Sequence, residues 1–283
     1  MPLSAIALLF ASAIIHTTWN LLLKQSGEKY VAVWWAAVIG AGLFLPVLFF
    51  TGLPARSTWL LLILSVFLEG AYYVVLSAAY NDSDFSLVYP MGRGTAPAFI
   101  AVWSVLLLHE SLTFGGMIGL IVIIIGLLVV GSSNLFQSPG KPHLRGILLA
   151  ILLAFLISIY TVVDGTAVRQ TNALAYTIMI FFLLPIFAAP LIFRRYGWTM
   201  LKAELGAHYL RLITIGVLTV AAYSLALWAY SFALLGYAGA IREVSVVMGA
   251  YAGWQFLDEK MGGWRVVGAV VIFAGIVVIA LYG

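Results

Sequence analysis

The sequence contains no cysteine, which excludes a disulfide framework and any thiolate-held metal, and leaves the redox compartment unread. Charge is scarce as well. Asp, Glu, Lys and Arg make up 8% of the chain, against about 25% in an ordinary soluble domain, so a water-wetted globular surface is excluded. The basic surplus of +4 over 283 residues is too small for a nucleic-acid footprint and reads as loop charge, so no nucleic-acid partner is expected. Enzyme motifs are missing too: there is no His-Glu-x-x-His and no Gly-x-Ser-x-Gly. The glycine-rich piece Met91-Gly-Arg-Gly-Thr95 lacks both the Gly-Lys-Ser/Thr ending and the preceding strand of a phosphate loop. A hydrolytic site would have only His16 with a nearby hydroxyl and no orienting carboxylate, so the chain is read as a non-enzyme without metal or cofactor. The first apolar run follows no basic segment, and residues 3–23 are expected to remain as a span instead of being cleaved.

What the sequence does have is grease: 64% hydrophobic residues and a mean hydropathy of +1.12. Runs long enough to cross a bilayer as helices fall at 3–23, 31–51, 58–80, 85–108, 114–133, 144–168, 172–193, 208–233, 237–257 and 264–282. The expected fold is therefore an all-α integral membrane protein of ten transmembrane helices in a lipid bilayer.

Inside the fourth run stands Tyr89-Pro-Met-Gly-Arg-Gly-Thr-Ala-Pro97. An arginine near a helix centre costs about 2.5–3.5 kcal/mol on insertion scales, so Arg93 needs a protein-lined or wet surrounding. Pro90, Gly92, Gly94 and Pro97 weaken the helix around it, and irregular backbone at membrane depth belongs where it lines a cavity or is covered by protein.

Sliding the chain against itself by 149 residues sets Arg93 on Arg242, Glu110 on Glu259, Gly119 on Gly268 and Gly126 on Gly275. An offset of 144 aligns the first spans, with Trp19-Asn20 on Val163-Asp164 and His16 on Tyr160. The boundary falls near Ser138-Pro139-Gly140, giving two five-helix repeats at 1–138 and 139–283. Five is odd, so the second repeat enters the membrane inverted, as in many secondary transporters whose site lies at the repeat interface. Lys24, Lys29, Lys141, Arg145, Arg194, Arg195, Lys202, Arg211, Lys260 and Arg265 gather on one side, against Arg56 and Arg169 on the other. Positive-inside logic puts the first side in the cytoplasm and both termini outside.

With ten spans in two halves, His16-x-x-Trp-Asn20, Tyr89-Pro-x-x-Arg93, His109-Glu110-Ser-Leu-Thr113 and Tyr160-Thr-Val-Val-Asp-Gly165, the chain resembles the drug/metabolite transporter superfamily, and within it the EamA-type members. The resemblance covers the whole chain and implies a multi-pass carrier of the bacterial inner membrane. It also implies cytoplasmic termini, opposite to the charge count.

Five ionisable side chains fall within spans: Glu69, Arg93, Asp164, Arg242 and Glu243. By repeat position Arg93 and Arg242 approach one central cavity. Either they hold an anionic group of a small-molecule substrate, which a planar guanidinium fork suits, or they are structural partners of Glu69 and Glu243. Those two glutamates carry either a coupling proton or a permanent ion pair. His16, Trp19 and Asn20 share a helix face; His16 is a proton relay or an interhelical donor, and Trp19 a cavity residue or an interface anchor. Asp164 lies near a span end close to Arg169, where a capping or gating salt bridge is the stronger reading. Tyr72, Tyr89 and Tyr223 are the aromatics chosen to line the cavity. Gly115-x-x-x-Gly119, Gly249-x-x-x-Gly253 and the seven-residue pairs Gly119/Gly126 and Gly268/Gly275 allow close helix contact, either within the chain or in a homodimer. The function read from all this is a secondary transporter, an exporter of small polar or amphipathic metabolites such as amino acids, working by alternating access with proton coupling as an option. An organophosphonate or other organic-anion permease is the alternative, and an intramembrane enzyme or a non-transporting assembly subunit the remote one.

Overall fold

In hydrocarbon a backbone N–H or C=O finds no water, so each apolar run satisfies its own backbone by becoming a helix. The computed structural model of the chain describes residues 1–24, 26–82, 85–132, 144–248, 251 and 263–283. In order the helices are α1 (Leu3–Lys24), α2 (Lys29–Phe44), α3 (Trp59–Asp82), α4 (Phe85–Leu108), α5 (Phe114–Ser132), α6 (Leu144–Val168), α7 (Ala173–Tyr230), α8 (Leu235–Arg242) and α9 (Gly263–Tyr282). A 3-10 turn at Leu45–Val47 and a last turn at Leu48–Thr51 prolong α2. Among the described residues, Leu3–Leu23, Lys29–Thr51, Leu148–Val168 and Ala173–Tyr230 are long and apolar enough to cross a membrane; Thr95–Leu108, Phe114–Val129 and Val266–Tyr282 are shorter apolar helices. Phe49 and Phe50 are 91% and 90% exposed, an orientation that suits lipid and not water. The fold is all-α and multi-pass. The expected repeat boundary at Ser138-Pro139-Gly140, Glu259 and the pair Gly249 and Gly253 lie outside the described residues.

Two elements differ from the sequence expectation. The seventh and eighth runs and the connection between them form one long helical element, α7, of 58 residues. Straight, it would measure about 87 Å, nearly three times the roughly 30 Å core of a bilayer. It is broken at Gly197 (φ 69°) and His208 (φ −134°), and the positive φ at Gly197 is one that a residue without Cβ adopts freely. Between the two breaks the chain stays helical, so the basic stretch from Arg194 to Arg211 holds a short helix between two long legs. The second difference is α4, which runs from Phe85 to Leu108 as a single helix despite Pro90 and Pro97. The helix interruption at a charged position falls instead at Glu243, where α8 ends in a turn before helix resumes over 244–248.

Contacts sort the connections into two ends. At one end the Met1 amino group donates to the Gly283 carbonyl at 2.6 Å, the Ala55 amide to the Thr171 hydroxyl at 2.8 Å, and the Thr113 hydroxyl to the Tyr282 carbonyl. At the other, the Tyr196 hydroxyl donates to Glu28 at 3.2 Å, and burial together with that carboxylate pushes its pKa up to about 12. There Arg195 lies 5.9 Å from the Tyr30 ring and Lys202 5.3 Å from the Trp198 ring, an aromatic and basic belt of the kind found at a membrane interface.

Helix α5 packs on α9 through the glycines flagged above. A Cβ on Gly119 would come 2.8 Å from the Gly275 carbonyl, and one on Gly275 2.7 Å from the Gly119 carbonyl. A Cβ on Gly126 would meet the Gly268 carbonyl at 2.9 Å. These flat faces are thus occupied within one chain and are not open for a dimer contact. Elsewhere α3 and α4 pack on α6, while α1 packs on α8 and on the second leg of α7, where the Ser12 hydroxyl donates to the Ala222 carbonyl at 2.7 Å.

Candidate functional site

Small residues bring α8 against α4. A Cβ on Gly236 would lie 2.7 Å from the Ser104 hydroxyl and one on Gly239 2.9 Å from Ile100, so the end of α8 lies close enough to α4 for side chains to bridge. Across that contact Arg93 Nη1 donates to both oxygens of Glu243, at 3.2 and 3.4 Å. Glu243 is 2% exposed, so this is a buried ion pair. Arg93 Nη2 also contacts His16 Nε2 at 3.4 Å. A guanidinium has no acceptor, so the histidine nitrogen accepts, which fixes a neutral imidazole with its proton on Nδ1 in this contact.

Arg242 has different company. Among the described residues no carboxylate lies in salt-bridge range of it; its guanidinium carbon lies 5.2 Å from the centre of the Tyr223 ring. The Tyr223 hydroxyl donates to Asp164 Oδ2 at 2.5 Å and the Tyr176 hydroxyl to Asp164 Oδ1 at 3.0 Å. Asp164 is fully buried, and two hydroxyl donors are what keep its carboxylate from being an orphan. Glu69 and Ser65, one turn apart on α3, are also buried, and Glu69 Oε1 and the Ser65 hydroxyl find no hydrogen-bond partner among the described residues. Glu69, Asp164, Tyr223 and Arg242 lie within one another's electrostatic reach.

At the end where the termini meet, a second charged contact closes the structure. Helix α8 begins at Leu235 after Leu234, whose side chain offers no cap. Its first amides are instead bonded by Glu110, which accepts from Leu235 N at 2.9 Å and Gly236 N at 3.2 Å. The same carboxylate takes Arg169 Nη2 at 2.5 Å, and Arg169 also reaches the Ala233 carbonyl at 3.1 Å. Glu110 follows His109, which holds a left-handed φ of 53°. Beside this contact the Tyr237 hydroxyl accepts from the Thr113 amide at 2.9 Å.

Of the residues picked from the sequence, the structure therefore gathers His16, Arg93 and Glu243 in one cluster, and Asp164, Tyr223, Arg242 and Glu69 in another. The salt bridge expected between Asp164 and Arg169 is not formed: Arg169 pairs with Glu110, and Asp164 is served by tyrosines. The suggested Glu69 partnership with an arginine is not made by hydrogen bonds either. Trp19 packs edge-on against His16 at 4.9 Å, and Asn20 bonds back to the His16 carbonyl at 2.8 Å. Tyr72 is half-buried and meets Tyr160 edge-on at 6.1 Å. The Tyr89 side chain lies outside the described residues. Tyr176 was missed by the sequence reading, because a tyrosine in a greasy run carries no mark of its partner twelve residues earlier. Glu110 carried the repeat signal but not its role.

The EamA-like transporter family model matches residues 3–132 and again residues 144–281. The chain belongs to the EamA-like transporter family. Two matches in one chain make the family unit a duplicated one. A solved protein crystal structure, 16% identical, covers 99% of this chain and is itself covered over 98% of its length, with a TM-score of 0.79; at that identity the likeness establishes shared fold. As an EamA-like transporter the protein is a multi-pass membrane protein, as in bacterial inner membranes, and not an enzyme.

Proposed function

We propose that this EamA-like transporter carries small organic anions or zwitterions by alternating access, with Arg242 holding the anionic group. The observation that carries the reading is the difference between two buried guanidiniums. Arg93 has a carboxylate across the helix contact, whereas Arg242 has an aromatic face and, among the described residues, no carboxylate in pairing range. Burying an arginine in a membrane is expensive, and a planar fork left open is suited to carboxylate or phosphoryl oxygens. Tyr223, Tyr72 and Tyr160 would supply walls and hydroxyls around the substrate, with Trp19 and Asn20 on the neighbouring face of α1. Amino acids are the simplest substrates of this class and export the direction proposed; organophosphonates fit the same fork.

Ten crossings in two inverted five-helix units, divided near residue 138, are the architecture proposed for this cycle. Termini that touch require an even number of crossings, and the breaks at Gly197 and His208 split α7 into two legs. The packing is reciprocal: α1 lies on α8 and the second leg of α7, as α6 lies on α4 and α3. Basic loops placed in the cytoplasm leave the Glu110–Arg169 end, with both termini, outside. The test is a thermal-shift screen of the purified protein against amino acids, organic acids, phosphonates and amines, since a ligand stabilises the state that binds it. Anions and zwitterions should raise the melting temperature of wild type and not of Arg242→Lys. Stabilisation by simple amines alone would overturn the assignment.

A further inference from the structure

The buried charges do not balance. Among the described residues Arg93 is matched by Glu243, and Glu110 by Arg169. That leaves Arg242 as the single cation for two buried carboxylates, Asp164 and Glu69. Within the described structure one negative charge is thus uncompensated, a costly state in a low-dielectric, lipid-surrounded core that one further positive charge would relieve. The hydrogen bonds say where. Asp164 has a donor on each oxygen, from Tyr176 and Tyr223, and is built to stay an anion. Glu69 is 6% exposed with Oε1 unpartnered, one turn from a Ser65 hydroxyl that is also unpartnered. We infer that the Glu69–Asp164 pair holds a single proton, carried on Glu69, and that this is the ion coupled to transport.

A metal cation is the poorer occupant. Sodium-sized ions want several oxygen ligands, and both Asp164 oxygens are taken by hydroxyls, which leaves two open oxygens on α3. A proton needs one oxygen: it arrives from water on the accessible side, forms an O–H bond on the Glu69 carboxylate, and leaves to water when access switches. The groups within electrostatic reach of Glu69 are Asp164 and Tyr160 on α6, Tyr176 and Tyr223 on α7 and Arg242 on α8, and Arg93 and His16 lie within reach of Arg242. Arg242 stacks on the ring whose hydroxyl bonds Asp164, so a substrate anion drawn to Arg242 would disturb the balance that fixes the proton. The word coupled rests on the transport reading above; the proton itself does not.

The test is infrared spectroscopy of the purified full chain near neutral pH, following the C=O stretch of a protonated carboxyl group. Wild type and a surface control, Glu28→Gln, should show the band. Glu69→Gln should lose it while melting no lower than wild type, because glutamine imitates the protonated acid. Asp164→Asn should lose it as well, because Glu69 alone then balances Arg242. No band in wild type, or a band unchanged in either variant, overturns the inference, as does a stabilisation by sodium over choline that disappears in Glu69→Gln. A protein that shows the band but transports nothing would sink the transport reading and leave the proton site standing. Transport in proteoliposomes that remains driven by a pH gradient in Glu69→Gln would overturn Glu69 as the coupling site and leave the transport reading standing.

Discussion

Arg93 and Arg242 fall on each other when the sequence is set against itself at an offset of 149 residues, yet among the described residues one is paired with a carboxylate and the other is not. Arg93 is followed by Gly94, which offers nothing, so its carboxylate comes from the opposite unit; Arg242 is followed by Glu243, which reaches across to Arg93 and leaves its own neighbour to a tyrosine ring. The following residue makes the difference: a glycine after Arg93 and a glutamate after Arg242 leave one guanidinium ion-paired and the other against an aromatic face.

Breaking the clamp should have the largest effect. Glu243→Gln leaves a buried guanidinium without its counter-charge, which typically costs about 3–5 kcal/mol, so the melting temperature should fall steeply, and Arg93→Gln combined with Glu243→Gln should recover part of it. Next comes the fork: Arg242→Lys should weaken binding of an anionic ligand by at least about tenfold, since a point charge cannot replace two parallel donors, while melting without ligand shifts far less than in Glu243→Gln. Equal losses of stability in the two variants would erase the distinction drawn here. Tyr223 separates its two jobs by substitution: Tyr223→Phe removes one donor to Asp164 at about 1 kcal/mol, whereas Tyr223→Leu also removes the ring under Arg242, a further 0.5–2 kcal/mol or so, read in both cases by thermal melting. The smallest change should be His16→Gln, whose amide oxygen can still accept from Arg93, leaving transport and melting within about 0.5 kcal/mol of wild type; a lost pH dependence there would restore His16 as a relay.

The membrane class, the helical runs and the repeat were legible because lipid forces each crossing to be long and apolar, and because Arg93 and Arg242 stand out against grease. Partnerships were not legible. That Glu243 serves Arg93, that Arg169 meets Glu110 and not Asp164, and that two tyrosines hold Asp164 all depend on helix rotation and depth, to which an apolar run without a clear polar face gives no clue. The prolines around Arg93 misled for a related reason: in membrane helices neighbouring groups can re-satisfy the backbone that proline frees, so α4 continues where a break was expected, and the break lies at Glu243.

The glycine seam between α5 and α9 bears on the genetics of the protein. In an ordinary core an enlarged side chain can be forgiven by shrinking the one opposite, and revertants map to the facing residue. At Gly119 and Gly275 the obstacle on the other helix includes main-chain carbonyl, at 2.8 and 2.7 Å from the would-be Cβ, and no codon change removes a carbonyl. A defect at either position should therefore lack a compensating allele across the seam, and its suppressors should appear, if anywhere, at positions that let the whole of α9 shift.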